Sequence, residues 1–465
     1  MFIIKINNYK RKENFYKKSQ IFSYLSILII FFLISINIFF FGHSFKYLIF
    51  ALLGIVIFLI SFANTNFALM LLIFSMLLSP EFSLGFAGGR AVVLRLDDLF
   101  LIVVFLGWLA KMATAKLGFF RKTPLNFPIF IYLTFYTIST FFGIIRGYVT
   151  FKDSIFYLLK YFEYFFLYFM VADVVVEEKQ ARIFVYAILF VSIITSLYAF
   201  RQHFSGIERV TAPFEEKEVE SNTFGGYLVL ISLLAISLFL NVSKLKLKIF
   251  FGIVIFLSIF SLLFTLSRGS WLAFILGYIA IFFVSKKGKI TFLITTILLC
   301  LLLYIFLPAR VLDRIKYTFT PETQKTVFGK KINLDASAAA RIENWFYSLQ
   351  LWSKYPILGR GAGSARVVVD HQYGRILLEA GFFGILAFLF LIFGLFRSFF
   401  FALNILKDNE FALGLSTGAI AILFSFLFHS LSCETFIVIR IMEPFWFLTA
   451  VVVALPDIFL EKFGL

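Results

Sequence analysis

Apolar runs of about 15 to 22 residues recur from one end of this chain to the other, and they leave few folds open. A helix rises about 1.5 Å per residue, so roughly 20 apolar residues match the ~30 Å hydrocarbon core of a bilayer. In lipid a helix satisfies its own backbone N–H and C=O groups, so repeated runs of this length specify a polytopic helical bundle. Composition agrees, with 61% hydrophobic and 15% charged residues. Candidate spans centre near residues 32, 55, 72, 104, 136, 164, 190, 231, 257, 277, 298, 386, 420 and 450. Those over 66–79, 97–110 and 270–284 are short, so the expected fold is an all-α integral membrane bundle of about 12–14 transmembrane helices. Residues 1–20 form a basic tail, 21–465 a single transmembrane domain, and 308–375 a large polar loop within it. The tail carries Lys5, Lys10, Arg11, Lys12, Lys17 and Lys18; no small-residue cleavage site follows, so the first span reads as retained.

The Lys/Arg bias of short loops sets orientation. With the N-terminus inside, the even-numbered loops carry Lys111, Lys116, Arg121 and Lys122, then Lys244, Lys246 and Lys248, then Lys286, Lys287 and Lys289. This places 80–96, 201–221, the Ser267-Arg268-Gly269 turn and the 308–375 loop on the outer face. Thirteen of the 17 Arg then lie outside and 17 of the 26 Lys inside. Lysine, a compact point charge, suits topology and anionic lipid, whereas the planar guanidinium suits bidentate contact with phosphate oxygens. An Arg-rich outer face therefore points to a phosphate-bearing ligand there, against the simpler reading of arginines that snorkel at helix ends. The net charge of +17 is met by the membrane surface, so nucleic acid is not required. Cys300 falls inside a span and Cys433 in a short outer loop, which argues against a disulfide between them; two Cys make no zinc site.

The polar loop holds the most chemistry. Ala336–Lys354 reads as an amphipathic helix capped by Asp335 or Ser337, with Ala338, Ile342, Trp345, Leu349 and Trp352 on its apolar face and Pro356 and Gly359 as its stop. Arg341 lies at the edge of that face, either solvated or facing a ligand. Gly359-Arg-Gly-Ala-Gly363 lacks the Gly-Lys-Ser/Thr of a phosphate loop and reads as a tight turn with positive backbone angles, flanked by Arg360 and Arg366. His371 follows at a membrane boundary; a neutral imidazole is suited to taking a proton from a sugar hydroxyl. Arg375 and Glu379 continue at i+4 and i+8, spaced to pair with each other, and Gly381 and Gly384 would permit close helix contact. Arg268 sits in a turn between two spans, where a half-buried Arg is costly and usually functional. Arg95-Leu-Asp97-Asp98 opens another span, as a ligand site or an internal ion pair; two adjacent carboxylates alone do not make a metal site.

The order of these pieces resembles the signature of the O-antigen ligase and polymerase family, membrane glycosyltransferases that take glycans from a polyprenyl-diphosphate carrier. The resemblance rests on Thr265-Leu-Ser-Arg-Gly-Ser-Trp271, Arg341-Ile-Glu-Asn-Trp345, Asp370-His-Gln-Tyr373 and Glu379-Ala-Gly-Phe-Phe-Gly384. It implies a multi-pass protein of the bacterial inner membrane, N-terminus cytoplasmic, with a periplasmic helical loop capping the site. By this resemblance the donor is a glycan on undecaprenyl diphosphate and the acceptor lipid A-core or a similar glycolipid or glycan. Membrane lipids are the remaining partners. Arg268 and Arg341 would bind the diphosphate and His371 would activate the acceptor hydroxyl, in an inverting transfer without metal or cofactor. Arg209, Arg201, Arg95, Arg360, Arg375 and Glu379 stand as substrate-binding candidates; Arg201 and Arg209 precede Asn222 as a basic residue often does in the family. Polymerase and protein O-oligosaccharyltransferase activities share this donor chemistry. A transporter or flippase is the rival from another class, and it would place ionisable groups at mid-span in two related halves.

Overall fold

A computed structural model describes residues 45–87, 90–115, 120–214, 220–285, 289–306, 309–318, 323–327, 330–334, 336–366 and 369–462. The expected first span near residue 32, the basic tail, His43 and the cap Asp335 lie outside these residues.

The elements run α1 (Phe45–Ala63), α2 (Thr65–Leu78), β1 (Glu81–Ala87), β2 (Arg90–Arg95), α3 (Leu96–Thr114), α4 (Asn126–Ile145), α5 (Phe151–Val174), α6 (Glu178–Phe204) and α7 (Ser221–Asn241). They continue with α8 (Leu245–Phe264), α9 (Arg268–Val284), α10 (Lys289–Phe306), α11 (Ala309–Thr318), β3 (Thr323–Val327), β4 (Lys330–Leu334), α12 (Ala336–Trp352), α13 (Gln372–Ile405), α14 (Glu410–His429) and α15 (Ile439–Lys462). Eight of these helices (α4 to α8 and α13 to α15) are long and apolar enough to cross a membrane; Leu52–Ala63, Thr65–Leu78 and Arg268–Val284 are apolar but shorter. Two of the three spans expected to be short, those over 66–79 and 270–284, are short, whereas the one over 97–110 lies within the 19-residue α3. Two antiparallel hairpins, β1–β2 and β3–β4, were not expected. A hairpin satisfies its inner hydrogen bonds by itself, so it fits a polar loop without altering the helical bundle.

The bundle is built around α7, which is buried along nearly its whole length and packs on α8, α9 and α14. Small residues allow that approach: Gly414 and Gly418 of α14 lie against Leu238 and Leu234, and Ser237 Oγ donates to the Gly414 carbonyl at 2.5 Å. α5 packs on α15, and α4 and α12 on α13.

Polar contacts sort the connections into two ends. At one, Asn409 Nδ2 donates to Glu178 Oε1 (3.0 Å), Ser243 N to Glu410 Oε2 (3.1 Å) and Arg121 Nη2 to Asp457 Oδ2 (2.9 Å). At the other, Val210 N bonds Phe264 O (3.3 Å), Arg310 Nη1 bonds Ile207 O (3.3 Å), Trp345 Nε1 bonds Leu431 O (3.2 Å) and Arg440 Nη1 bonds Pro213 O (3.4 Å). The segments assigned to one face by charge therefore meet at one end of the bundle.

Candidate active site

The site grows from the turn between α8 and α9. Leu266 adopts φ +51°, a left-handed conformation that costs a branched side chain about 1–2 kcal/mol. Side chains lock it on both sides. Thr265 Oγ1 donates to Leu262 O at 2.7 Å and accepts from Ser267 N at 3.3 Å; Trp271 Nε1 reaches Leu262 O at 2.9 Å. Ser267 caps α9, its Oγ accepting from Ser270 N at 3.4 Å and lying 2.8 Å from Ser270 Oγ. Arg268 is the first residue of α9 and half-buried, so its charge adds to the positive end of the helix dipole.

Three further arginines face this turn. Arg341 reaches it from α12: a Cβ built on Gly269 would lie 4.0 Å from Arg341 Nη1. Arg209 is half-buried and donates through Nε to Thr265 O and through Nη2 to Asn222 Oδ1, each at 3.2 Å. Burial and then Arg314 push Arg209 below its ordinary arginine value, with Glu208 pulling the other way and Arg341 adding the smallest push. That mutual repulsion has to be held by tertiary structure, and it leaves a cationic surface suited to phosphate oxygens. Arg314 of α11 was missed by sequence reasoning. The signal was there: Arg310 and Arg314 share one face of a strongly amphipathic ten-residue segment whose Val311 is buried.

His371 packs against α12, the helix that carries Arg341. It caps α13, is only 1% exposed, and stacks on Trp345 at 3.8 Å between ring centroids. Nδ1 accepts from Gly374 N at 3.1 Å and Nε2 lies 3.3 Å from Ser348 Oγ. An Nδ1 that accepts leaves the proton of a neutral ring on Nε2, so both nitrogens have hydrogen-bond partners. Burial pushes its pKa down to about 4. Trp345 and Ser348 follow Arg341 on α12 at i+4 and i+7, so His371 clamps the helix that carries Arg341. The buried side of α12 is marked by Ala339 and Ser348, rotated from the expected stripe, with Leu349 exposed.

Residues 253–389, from within α8 to within α13, match the family described as O-antigen ligase. That segment is similar to an O-antigen ligase domain. Eight helices long and apolar enough to cross a membrane are those of a polytopic helical membrane protein. No curated protein matches the chain.

Within this domain-length match, the remaining candidates are engaged elsewhere. Arg375 donates to Glu379 Oε1 (2.8 Å) and Glu434 Oε1 (2.6 Å); Glu379 also accepts from Gly363 N and Tyr161 OH, each at 2.9 Å. Glu379 is fully buried and satisfied, an internal anchor. The Gly359–Gly363 turn does have positive φ at Gly359, Gly361 and Gly363, but it meets backbone instead of ligand. Arg360 N bonds Leu378 O (2.7 Å), Gly361 N bonds Glu379 O (2.9 Å) and Phe382 N bonds Pro356 O (2.8 Å). The turn thus fills the break in α13 at Gly381 (φ 65°), where the expected role was close helix contact. The Arg360 guanidinium lies over the packed rings of Tyr148 and Tyr355, 5.6 Å from each centroid.

Outside that match, Arg201 is exposed on the last turn of α6. Arg95 resolves as an internal ion pair: Nε donates to Asp97 Oδ1 (3.0 Å), and Nη2 pairs with Asp97 Oδ2 and lies 3.7 Å from Glu443 Oε2. Asp98 Oδ2 accepts from Arg95 N at 3.0 Å, which caps α3. Among the described residues no group of three or more His, Cys, Asp or Glu could hold a metal ion. Cys433 is a free cysteine.

Proposed function

We propose that this protein transfers a glycan from undecaprenyl diphosphate to a glycolipid acceptor, lipid A-core or similar, at the periplasmic face of the inner membrane. The observation that carries this reading is the meeting of Arg209, Arg314 and Arg341 at the turn that presents Arg268. A diphosphate ester carries charge that grows as its bond to the sugar breaks. Guanidinium groups preset around it stabilise that growth, because no dipole has to reorganise at the moment of reaction. The acceptor hydroxyl attacks the anomeric carbon from the side opposite the diphosphate; the carbon–oxygen bond to phosphorus-bound oxygen breaks and its electron pair leaves with the diphosphate. One such displacement inverts the anomeric configuration. The hydroxyl proton is lost late, to water at the outer face. Fixed cations and orientation supply the charge neutralisation that a metal ion would otherwise provide.

His371 enters this scheme as the clamp on α12, in place of the general base that the sequence suggested. The ion pairs of Arg95, Asp97 and Glu443 are the feature a transporter would share; the family match and the cationic turn favour transfer. The test is transfer of labelled glycan from an undecaprenyl-diphosphate donor by the purified protein, with and without a chelator, and with the product's anomeric configuration read by NMR. Retention of configuration, or loss of activity with the chelator that added divalent ions restore, would overturn the mechanism.

A further inference from the structure

A second buried histidine, which the chemistry above does not use, is wired to the same turn. His429 ends α14 and is 1% exposed. Its Nε2 lies 3.0 Å from Ser270 Oγ and its Nδ1 2.8 Å from Thr435 Oγ1. Ser270 Oγ continues to Ser267 Oγ at 2.8 Å. The result is one unbroken row of hydrogen bonds, Thr435–His429–Ser270–Ser267, that ends on the residue before Arg268. Every member is buried.

The packing makes room for this row. A Cβ on Gly225 of α7 would collide with Ser270 Oγ, and one on Gly226 would stand 3.0 Å from His429 Cε1. Two adjacent glycines at the start of α7 thus admit the two side chains that meet there. The turn itself is left-handed at Leu266 and needs external restraint. Ser432, three residues beyond His429, lies against Gly269, and its Oγ bonds His429 O at 3.3 Å. The end of α14 therefore grips the turn just beyond Arg268, at Gly269 and Ser270, and reaches Ser267 through Ser270.

We propose that His429 is a positioning residue for transfer: through Ser270 and Ser267 it holds the turn that sets Arg268 opposite Arg341, and so fixes the grip on the donor's diphosphate. This rests on the arginines being the diphosphate site. A histidine that served packing alone would tolerate any isostere that filled its volume. A positioning histidine depends on which nitrogen is kept.

The experiment measures undecaprenyl diphosphate binding and donor KM and kcat for the purified full-length protein, with thermal stability checked alongside. In His429→Gln the amide nitrogen reaches Ser270 as Nε2 does, and binding stays within about threefold of the parent. In His429→Asn the shorter amide reaches Thr435 only; binding weakens and donor KM rises about tenfold, with kcat less affected. Ser270→Ala shows the same loss, and the double variant with His429→Asn is no worse than either single one. Parent-like binding by His429→Asn and Ser270→Ala, or equal damage from Asn and Gln, overturns the inference. Parent-like binding by Arg268→Ala and Arg341→Ala overturns the arginine reading itself, and the inference falls with it.

Discussion

At the scale of single residues, the arginine site makes the strongest demand on chemistry. Arg268→Ala and Arg341→Ala are expected to lower kcat/KM for the undecaprenyl-diphosphate donor by ~10²–10³, the scale of one lost charge-stabilising group. Lysine at either position restores only part of this, because a point charge cannot reproduce a bidentate fork. Full rescue by lysine would show that net charge alone suffices. His371 separates two roles by substitution. Asparagine is a good cap and can still accept from Gly374 N, but has no titratable nitrogen. His371→Asn should therefore keep transfer within a few-fold, whereas a general base would lose ~10²–10⁴.

The same residue ties stability to pH. Its folded-state pKa, near 4, lies below the 6.5 of an exposed imidazole. The unfolded chain therefore binds more protons between these values. The stabilisation is full above pH 6.5 and is lost as pH falls toward 4. Thermal unfolding in detergent should show the parent losing stability over that window relative to His371→Asn, compared pH by pH. Parallel curves for the two proteins would show that His371 does not titrate between the states.

At the scale of elements, the break in α13 is the joint on which the outer end turns. Gly359 and Gly381 both have positive φ, and a Cβ on either would run into backbone of the other's segment. Side chains cannot yield there, so Gly381→Ala combines about 1–2 kcal/mol of left-handed strain with a clash that forces the Pro356–Gly363 turn away. A sharp loss of folded protein by size-exclusion fluorescence is the expected result. Gly54, in α1, has nothing within 4 Å of its added Cβ and is the control, expected to fold as the parent does. A Gly381→Ala protein of parental stability would mean that the turn and the helix break are not coupled.

At the scale of the whole molecule, both ends of the bundle carry orientation. By the Lys/Arg bias of short loops, Lys244, Lys246 and Lys248 are expected in the cytoplasm and α12 in the periplasm. In a variant with both native cysteines replaced, Ser353→Cys should react with a membrane-impermeant maleimide in cells whose outer membrane is permeabilised. Ser243→Cys should react only after lysis. Both side chains are exposed, so the reverse pattern would invert the topology and put the arginine site on the cytoplasmic side.

The sequence determined what depends on local chemistry. Hydrophobic run length fixes helices and spans, the Ser267-Arg268-Gly269 turn announces itself between two of them, and α12 follows from its spacing and its Pro/Gly stop. The helix break at Gly381 and the ion pairing of Arg375 with Glu379 sit within one or two turns, and the pairing was legible for that reason. Tertiary structure decided what depends on partners far apart in the chain. Arg95 gains a distant partner in Glu443 beside its local pair with Asp97, and His371 is packed by Trp345 and Ser348 of α12. His429 had no local motif to mark it, and Arg314 had only the amphipathic pattern of α11. Their roles arise only where α11, α12 and α14 converge on the turn, because charge repulsion and hydrogen-bond satisfaction are properties of neighbours in space.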